Sequence, residues 1–185
     1  MQCAFCATGK SGLRRNLSAE EIVGQVLYFA RQLRTPTDLP GFRKPGRSVG
    51  DPVTNVIFAG MGEPLVNYEA TWEAIERLND PAGFGLGARH ITISTAGWIP
   101  GIERLAQEKL QVGLAVSLHA PDDALRSKLM PINRRYPVAP LMAACQKYTA
   151  QMGRRLSFEY ILIAGINDSA AQAQKLAALL KGMPC

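Results

Sequence analysis

Two cysteines near the N-terminus are the residues of this sequence best suited to carry chemistry. Cys3 and Cys6 are separated by two residues, a spacing at which two thiolates can bind one metal ion or one iron–sulfur cluster. The spacing alone leaves a thioredoxin-like redox pair, a zinc knuckle and an iron–sulfur site as alternatives. A zinc site would need two further ligands, and the two histidines, His90 and His119, are far away in the sequence. A redox pair would open a helix after a strand, whereas a polar, Gly-containing segment follows here.

A second motif lies at residues 60–64, which read Gly-Met-Gly-Glu-Pro. Glycines at a strand end let a ligand approach the backbone closely. The proline after Glu63 restricts that residue to extended conformations. A carboxylate held there, beside backbone carbonyls, suits an ammonium group. The alternative is a tight turn that carries a solvated glutamate.

The elements that must position these motifs alternate between strands and helices. Apolar stretches predict buried strands at 53–59, 90–95, 113–118 and 156–163. Apolar residues at helical spacing predict helices near 68–78, 99–108, 122–130, 138–151 and 170–181. This alternation predicts a parallel sheet with right-handed crossovers. The polar and Gly-rich residues follow the strands, so we expect them at the carboxyl edge of the sheet, where α/β proteins build their sites.

A further helix precedes the first predicted strand. Ser18 is expected to cap it, and Glu21, three residues on, to complete a capping box. The residues that recur at helical spacing on its apolar face are Ile22, Val26, Phe29, Ala30 and Leu33. Residues 35–52 are rich in proline, glycine and basic residues, which predicts a long irregular loop of a kind that is usually functional or mobile.

Composition and charge narrow the class of protein. The 185 residues are 47% hydrophobic and 19% charged, which allows a sizeable core and excludes wholesale disorder. No apolar run is long enough to span a bilayer, and four cysteines do not make a disulfide scaffold, so a cytoplasmic location is expected. Most of the net charge of +6 lies in residues 1–50, which contain eight basic and three acidic residues. A one-sided basic excess suits RNA, although a solvated surface is an equally good interpretation. The basic residues are Lys10, Arg14, Arg15, Arg31, Arg34, Arg43, Lys44 and Arg47.

In combination, the two motifs resemble those of the radical S-adenosylmethionine (SAM) enzymes, which carry C-x-x-x-C-x-x-C after their first strand and a Gly-Glu-Pro type motif after the second. Within that group the sequence resembles the dual-specificity RNA methyltransferases, which methylate carbon 2 of an adenine in 23S rRNA and in some tRNAs. The resemblance runs over nearly the whole chain and keeps the motif order. Its segments include residues 5–9, 15–17, 54–56, 60–65, 92–97, 117–121 and 131–133.

The resemblance implies an α/β fold, namely a partial (β/α)6 TIM-like barrel of the radical SAM type that is truncated at both ends. Residues 1–185 would then be a fragment of the radical SAM core domain. The first cluster cysteine of the family would lie four residues before Cys3, outside the chain. The family's N-terminal RNA-binding domain with its general base, its first strand and its C-terminal strand with the methylated cysteine would also lie outside. The chain alone is therefore expected to be inactive and to hold a cluster poorly.

The resemblance also assigns roles to individual residues. Cys3 and Cys6 match two of the three ligands of a [4Fe-4S] cluster, while Gly62 and Glu63 match the positions that hold the methionyl ammonium of SAM. Further cofactor-contacting positions are matched by Ser94, Ser117, Leu118 and His119. Without the resemblance, Ser94 would be interpreted as a strand hydroxyl and His119 as an ordinary strand-end histidine. No catalytic residue can be placed on the chain.

Two cysteines and the partners complete these expectations. Cys145 lies among apolar residues at helical spacing and is expected to be a buried, inert thiol, and Cys185 is not assigned as the methyl-carrying cysteine. The implied partners are 23S rRNA, tRNA and a reductant such as flavodoxin or ferredoxin, with no membrane. Two alternatives stay open: a sister enzyme that methylates carbon 8 of the same adenine, and an RNA-associated C-x-x-C module without turnover.

Overall fold

The computed structural model describes residues 2–33 and 53–185, and its four strands form one parallel sheet. The strands are β1 (Val56–Phe58), β2 (Ile91–Thr95), β3 (Gly113–Ser117) and β4 (Ser157–Glu159). Their order in the sheet is their order in the chain. Consecutive order is that of a barrel, whereas a doubly wound sheet reverses direction at a switch point. The predicted α/β class and parallel sheet are therefore confirmed.

The helices fall where the sequence pattern places them. They are α1 (Ala19–Gln32), α2 (Tyr68–Asn79), α3 (Ile99–Leu105), α4 (Asp123–Leu129), α5 (Val138–Met152) and α6 (Ala170–Leu180). The predicted strands at 53–59 and 156–163 are shortened to β1 and β4, because each of these strands has a hydrogen-bonded partner on one side only within the described residues. The predicted loop at 35–52 lies outside the described residues.

The two faces of the sheet differ in chemistry. One face is apolar and packs against the helices, with Ile91 and Ile93 of β2 and Val116 of β3 almost completely buried. The other face carries polar side chains such as Ser94 and Glu159. An open parallel sheet covered by helices on both faces would be apolar on both. The polar face is therefore the inner face of a partial barrel.

Helix α1 begins as predicted but is less buried than its pattern suggests. Ser18 accepts a hydrogen bond from the Glu21 backbone N–H, and the Glu21 carboxylate accepts one from the Ser18 backbone N–H, so the capping box is confirmed. On the predicted apolar face, Ala30 is buried, whereas Phe29 and Leu33 are more than half exposed. This face and β1 line a cavity of about 670 Å³ that extends to the turn carrying Glu63.

Candidate functional site at the carboxyl edge of the sheet

The carboxylate of Glu63 joins the turn after β1 to the end of β2. Its Oε2 accepts a hydrogen bond from the backbone N–H of Ala96 at 2.8 Å, and its Oε1 accepts one from Leu65 at 3.2 Å. Burial raises the pKa of Glu63 above its usual value, and these N–H donors oppose that effect. None of the ion pairs among the described residues includes Glu63. A half-buried carboxylate with neutral donors alone is suited to a cationic ligand group such as an ammonium.

Gly62 gives this turn its shape and leaves it open. Gly60 and Gly62 have φ angles of 100° and 84°, in the left-handed region where a side chain would be strained. No atom lies within 4 Å of the place where a Cβ at either position would stand. The open side lets a ligand reach the backbone beside Glu63, as the sequence predicts for Gly62.

Ser94 and Ser117 lie on the inner face of the sheet and share one partner, Glu159. The register pairs Ser94 with Ala115 and Ser117 with Glu159, which places the three polar side chains on the same face. The Ser117 hydroxyl donates to Glu159 Oε2 at 2.8 Å, and the Ser94 hydroxyl donates to the same oxygen at 3.2 Å. The structure thus brings the two predicted serines together around a carboxylate that sequence reasoning missed. The available signal was that Glu159 is the one charged residue in the apolar stretch 156–163.

His119 follows β3 in an unusual backbone conformation. Its φ is 57°, which makes it the one non-glycine residue with positive φ within 2–33 and 53–185. Such conformations are uncommon and concentrate at functional sites. The backbone N–H of Ile161 donates to His119 Nδ1 at 3.1 Å, so we assign the ring proton of the neutral imidazole to Nε2. Burial lowers the pKa of His119, which keeps the ring neutral at pH 7.

A buried arginine that sequence reasoning also missed holds two strand ends in place. The Arg126 side chain, on α4, is completely buried and donates to the carbonyls of Ala96, Ser117 and Leu118 at 2.8, 3.0 and 3.1 Å. A fourth hydrogen bond, of 2.9 Å, goes to Oδ1 of Asn133. Burial lowers the pKa of Arg126 to about 10. Nothing in the helical pattern marks this arginine as buried, because its partners come from distant parts of the chain.

Leu118 has no free backbone group at this edge. Its side chain is completely buried, and its backbone N–H donates to the carbonyl of Glu159 at 3.0 Å. Its own carbonyl accepts the bond from Arg126. The cofactor contact expected of Leu118 stays a prediction.

The cysteine loop is fastened to the same edge. The Ala4 backbone N–H donates to the carbonyl of Leu129 at 2.8 Å, and the Phe5 ring meets the His119 ring edge-on at a centroid distance of 4.9 Å. Cys3 packs against the small cluster formed by Ala120, Leu129 and Met130. These contacts place the loop beside the ends of β2 and β3, next to the predicted cofactor positions.

The two thiols fit the role of cluster ligands. The Cys6 backbone N–H donates to the Cys3 carbonyl at 3.0 Å, so both cysteines lie on one turn, and the Gly9 N–H donates to Cys6 Sγ at 3.3 Å. Burial raises the pKa of Cys3, and the neighbouring Cys6 raises it further. Two thiolates on one turn repel each other, and the irons of an iron–sulfur cluster, one for each thiolate, would compensate their charge. Within the described residues no group of three or more His, Cys, Asp or Glu side chains is placed to hold a metal ion.

Only some of the basic residues in the first 50 positions lie in the part of the chain that the structure describes. Arg15 forms a two-pronged ion pair with Glu21, with both N–O distances 2.6 Å, while Lys10 and Arg14 are exposed. The basic residues Arg34, Arg43, Lys44 and Arg47 lie outside the described residues.

The two cysteines that lie outside the loop differ in burial. Cys145 on α5 is completely buried, and burial raises its pKa to about 12, which confirms the expected inert thiol. Cys185 is exposed.

This site and fold define a known class. Residues 47–177 match the radical SAM superfamily, and the chain belongs to that superfamily. The C-x-x-C loop, the Gly-Glu-Pro turn and the parallel sheet described above are the features by which the sequence resembles it. No helix in 2–33 or 53–185 has the length and apolar character needed to cross a membrane.

Curated relatives narrow the similarity to one group of this superfamily. The chain is 56% identical over 182 residues to a probable dual-specificity RNA methyltransferase RlmN of Chloroflexus aurantiacus, covering 98% of this chain and 46% of the relative. It is 49% identical over 183 residues to a protein of the same name from Moorella thermoacetica, covering 99% of this chain and 49% of that relative. The chain therefore spans about half the length of the curated relatives it matches.

A solved structure agrees with both the sequence and the fold. A radical SAM methyltransferase from Sphaerobacter thermophilus superimposes with a TM-score of 0.88 at 52% identity, covering all of this chain and 50% of that one. The match supports the partial barrel inferred from the strand order and the polar inner face. The predicted resemblance to RNA methyltransferases of the radical SAM type is confirmed.

Proposed function

We propose that this chain is the cofactor-binding part of a radical SAM enzyme that methylates carbon 2 of an adenine in 23S rRNA and in tRNA. The observation that carries the proposal is the convergence of the cysteine loop, Glu63 and the serine pair on one edge of the sheet. The RNA substrate is inferred from the names of the relatives, which are RNA methyltransferases. In this proposal residues 1–185 are a radical SAM core domain, and an RNA-binding domain, a first strand and a last strand belong to the remainder of the protein.

The cofactors of the proposal are a [4Fe-4S] cluster and SAM. Cys3 and Cys6 hold the cluster together with one cysteine outside the chain, while Gly62 and Glu63 hold the methionyl ammonium. Ser94, Ser117 and His119 form the rest of the cofactor wall, and the buried Leu118, also a matched position, ties the end of β3 to Glu159 and Arg126 through its backbone. When both groups are bound, the cluster supplies an electron that cleaves SAM reductively.

The residues of this chain act by binding and positioning the cofactors. Glu63 is already desolvated and oriented by Ala96, so an ammonium that reaches it restores a charge partner at little reorganisation cost. The neutral His119 ring presents an N–H donor without adding a positive charge to a site that binds a cation. The Phe5 ring packs edge-on against His119 and so joins the cysteine loop to the end of β3.

The low reactivity of the adenine ring carbons explains why a radical site is needed, and this holds for carbon 2 and carbon 8 alike. Carbon 2 is taken from the resemblance to the dual-specificity enzymes. Carbon 2 of a purine is not nucleophilic enough for direct displacement on SAM, so a radical route by way of a methylated cysteine is needed. That cysteine and the general base lie outside this chain in the proposal. A reductant such as flavodoxin or ferredoxin supplies electrons in the cytoplasm, and the exposed Lys10 and Arg14 contribute to attraction of RNA.

Mass spectrometry of digested rRNA tests the proposal. Deletion of the intact gene should remove 2-methyladenosine, and complementation should restore it. Loss of 8-methyladenosine with 2-methyladenosine unchanged would replace the proposal by the sister activity. If neither nucleoside changes, methylation of rRNA adenine at carbon 2 or carbon 8 is excluded, and the non-catalytic RNA-associated module is favoured.

A further inference from the structure

We propose that Glu159 is a second carboxylate of the cofactor site and that it recognises the sulfonium centre of SAM, thereby favouring SAM over S-adenosylhomocysteine. The inference rests on the proposed function and adds to it a residue that selects for the charge of the ligand. Its starting point is a pair of carboxylates, Glu63 and Glu159, at the same edge of the sheet.

Glu159 is held in place by both its backbone and its side chain. Its carbonyl accepts hydrogen bonds from the backbone N–H groups of Leu118 and His119 at 3.0 and 3.3 Å. Its carboxylate accepts hydrogen bonds from the hydroxyls of Ser94 and Ser117. The Glu159 side chain is exposed, and the two hydroxyls on neighbouring strands orient it over the inner face of the sheet.

The charge of Glu159 has no cationic partner among the described residues. The ion pairs in that part of the chain involve other carboxylates, and serine hydroxyls orient a negative charge without neutralising it. Glu63 likewise has no cationic partner among the described residues, because its hydrogen-bond donors are the neutral backbone N–H groups of Leu65 and Ala96. The site therefore presents two uncompensated carboxylates, and SAM presents two cationic centres, its ammonium and its sulfonium.

The groups that hold the two carboxylates are close neighbours in the chain, at the end of β2. Glu63 is bonded to Ala96 and Glu159 to Ser94, two residues apart at the end of β2. Two residues of a strand extend ~7 Å. The ammonium nitrogen and the sulfonium sulfur are joined by four covalent bonds and lie about 5 Å apart in an extended methionyl arm. In the proposal, a ligand whose ammonium is on Glu63 extends its methionyl arm along this edge and places its sulfonium next to Glu159.

Comparison with S-adenosylhomocysteine measures the contribution of the sulfonium charge alone, because this ligand keeps the amino acid and ribose groups of SAM but has a neutral thioether. The experiment is calorimetric titration of both ligands into the full-length protein that carries this chain, reconstituted anaerobically with iron and sulfide. In Glu159→Gln the affinity for SAM should fall about fivefold, the size of one exposed ion pair, while the affinity for S-adenosylhomocysteine stays unchanged. Glu103→Gln, an exposed carboxylate on α3, is the matched control and should keep the wild-type ratio of the two affinities.

The ratio of affinities is independent of the fraction of folded protein, because both ligands report on the same preparation. If Glu159→Gln does not fold, the wild-type protein supplies the second measurement: raising the salt concentration should lower the preference for SAM. An unchanged ratio in the variant, an equal loss for both ligands or a salt-independent preference would overturn the role of Glu159 and leave the proposed function intact. Failure of the wild-type protein to bind either ligand would overturn the proposed function and this inference with it.

Discussion

The Glu63 carboxylate and the Ala96 backbone N–H, 2.8 Å apart, join the turn after β1 to the end of β2. This bond fixes a half-buried carboxylate at the carboxyl edge of the sheet, with one oxygen directed to each of two N–H donors. The same edge receives the cysteine loop through Ala4 and Phe5. Glu63 is thus part of the framework of the site as well as the group expected to bind the ligand ammonium.

Glu63→Gln should weaken binding of SAM to the full-length protein by ~1.5–3 kcal/mol, the range of a hydrogen bond to a charged group. The amide keeps an oxygen acceptor but loses the negative charge that the ammonium needs. Calorimetry at neutral pH measures the change, and iron content should stay at the wild-type level. Glu69→Gln, an exposed carboxylate paired with Arg104, is the control. Unaltered affinity in Glu63→Gln would favour a plain turn at residues 60–64.

Arg126→Met should destabilise the fold strongly. The variant removes the buried donor of the Ala96 and Ser117 carbonyls, while the Leu118 carbonyl keeps its hydrogen bond from the Ala120 N–H. An unsatisfied buried polar group costs ~1–3 kcal/mol, so we expect the free energy of unfolding to fall by about 3 kcal/mol or more. Urea denaturation measures it, with Arg89→Met, an exposed arginine, as the control. A loss no larger than that of the control would contradict the role assigned to Arg126.

His119 should make stability depend on pH in one direction. Because burial lowers its pKa from 6.5, the unfolded chain takes up this proton at a higher pH than the folded chain. Its contribution to stability is therefore complete above pH 6.5 and is lost as the pH falls from there through the lowered pKa. His119→Asn tolerates the positive φ and removes the titrating ring.

Urea denaturation at pH ~7.5 and ~5 compares the two proteins, and each unit of pKa difference corresponds to ~1.4 kcal/mol. Wild-type protein should lose more free energy of unfolding on acidification than His119→Asn. Equal losses would mean that His119 is not protected from protonation.

The thiols should differ sharply in reactivity. Burial raises the pKa of Cys145 to about 12, while Cys185 is exposed. Because the thiolate is the nucleophile, iodoacetamide at mildly alkaline pH should label Cys185 readily and Cys145 only in denaturant. Peptide mass spectrometry resolves the two sites. Equal labelling in the native protein would show that α5 is not packed as described.

The sequence was sufficient for features that depend on local chemistry. Ser18 and Glu21 mark the start of α1 through a capping box, and Gly62 marks a turn that needs a left-handed backbone. The parallel sheet and the shared carboxyl edge follow from the regular alternation of elements, whereas the barrel-like strand order was expected only from the family resemblance.

Two site residues could not be predicted because their roles depend on distant partners. Glu159 accepts hydrogen bonds from the hydroxyls of residues 42 and 65 positions away in the sequence. Arg126 donates to a carbonyl 30 positions away. The exposure of Phe29 and Leu33 on α1 could not be predicted from the local sequence either. Helical periodicity identifies the apolar face of a helix but does not show which element packs against it.

The most direct test of the central claim, that this sheet edge is a radical SAM site, is the amount of 5′-deoxyadenosine released. The full-length protein is reconstituted anaerobically with iron and sulfide and supplied with SAM and a reductant. Wild-type protein and Cys185→Ala, which alters an exposed thiol away from the loop, should release 5′-deoxyadenosine. Cys3→Ala and Cys6→Ala should release none, because each removes a proposed cluster ligand. Release by these two variants at the wild-type rate would contradict the account.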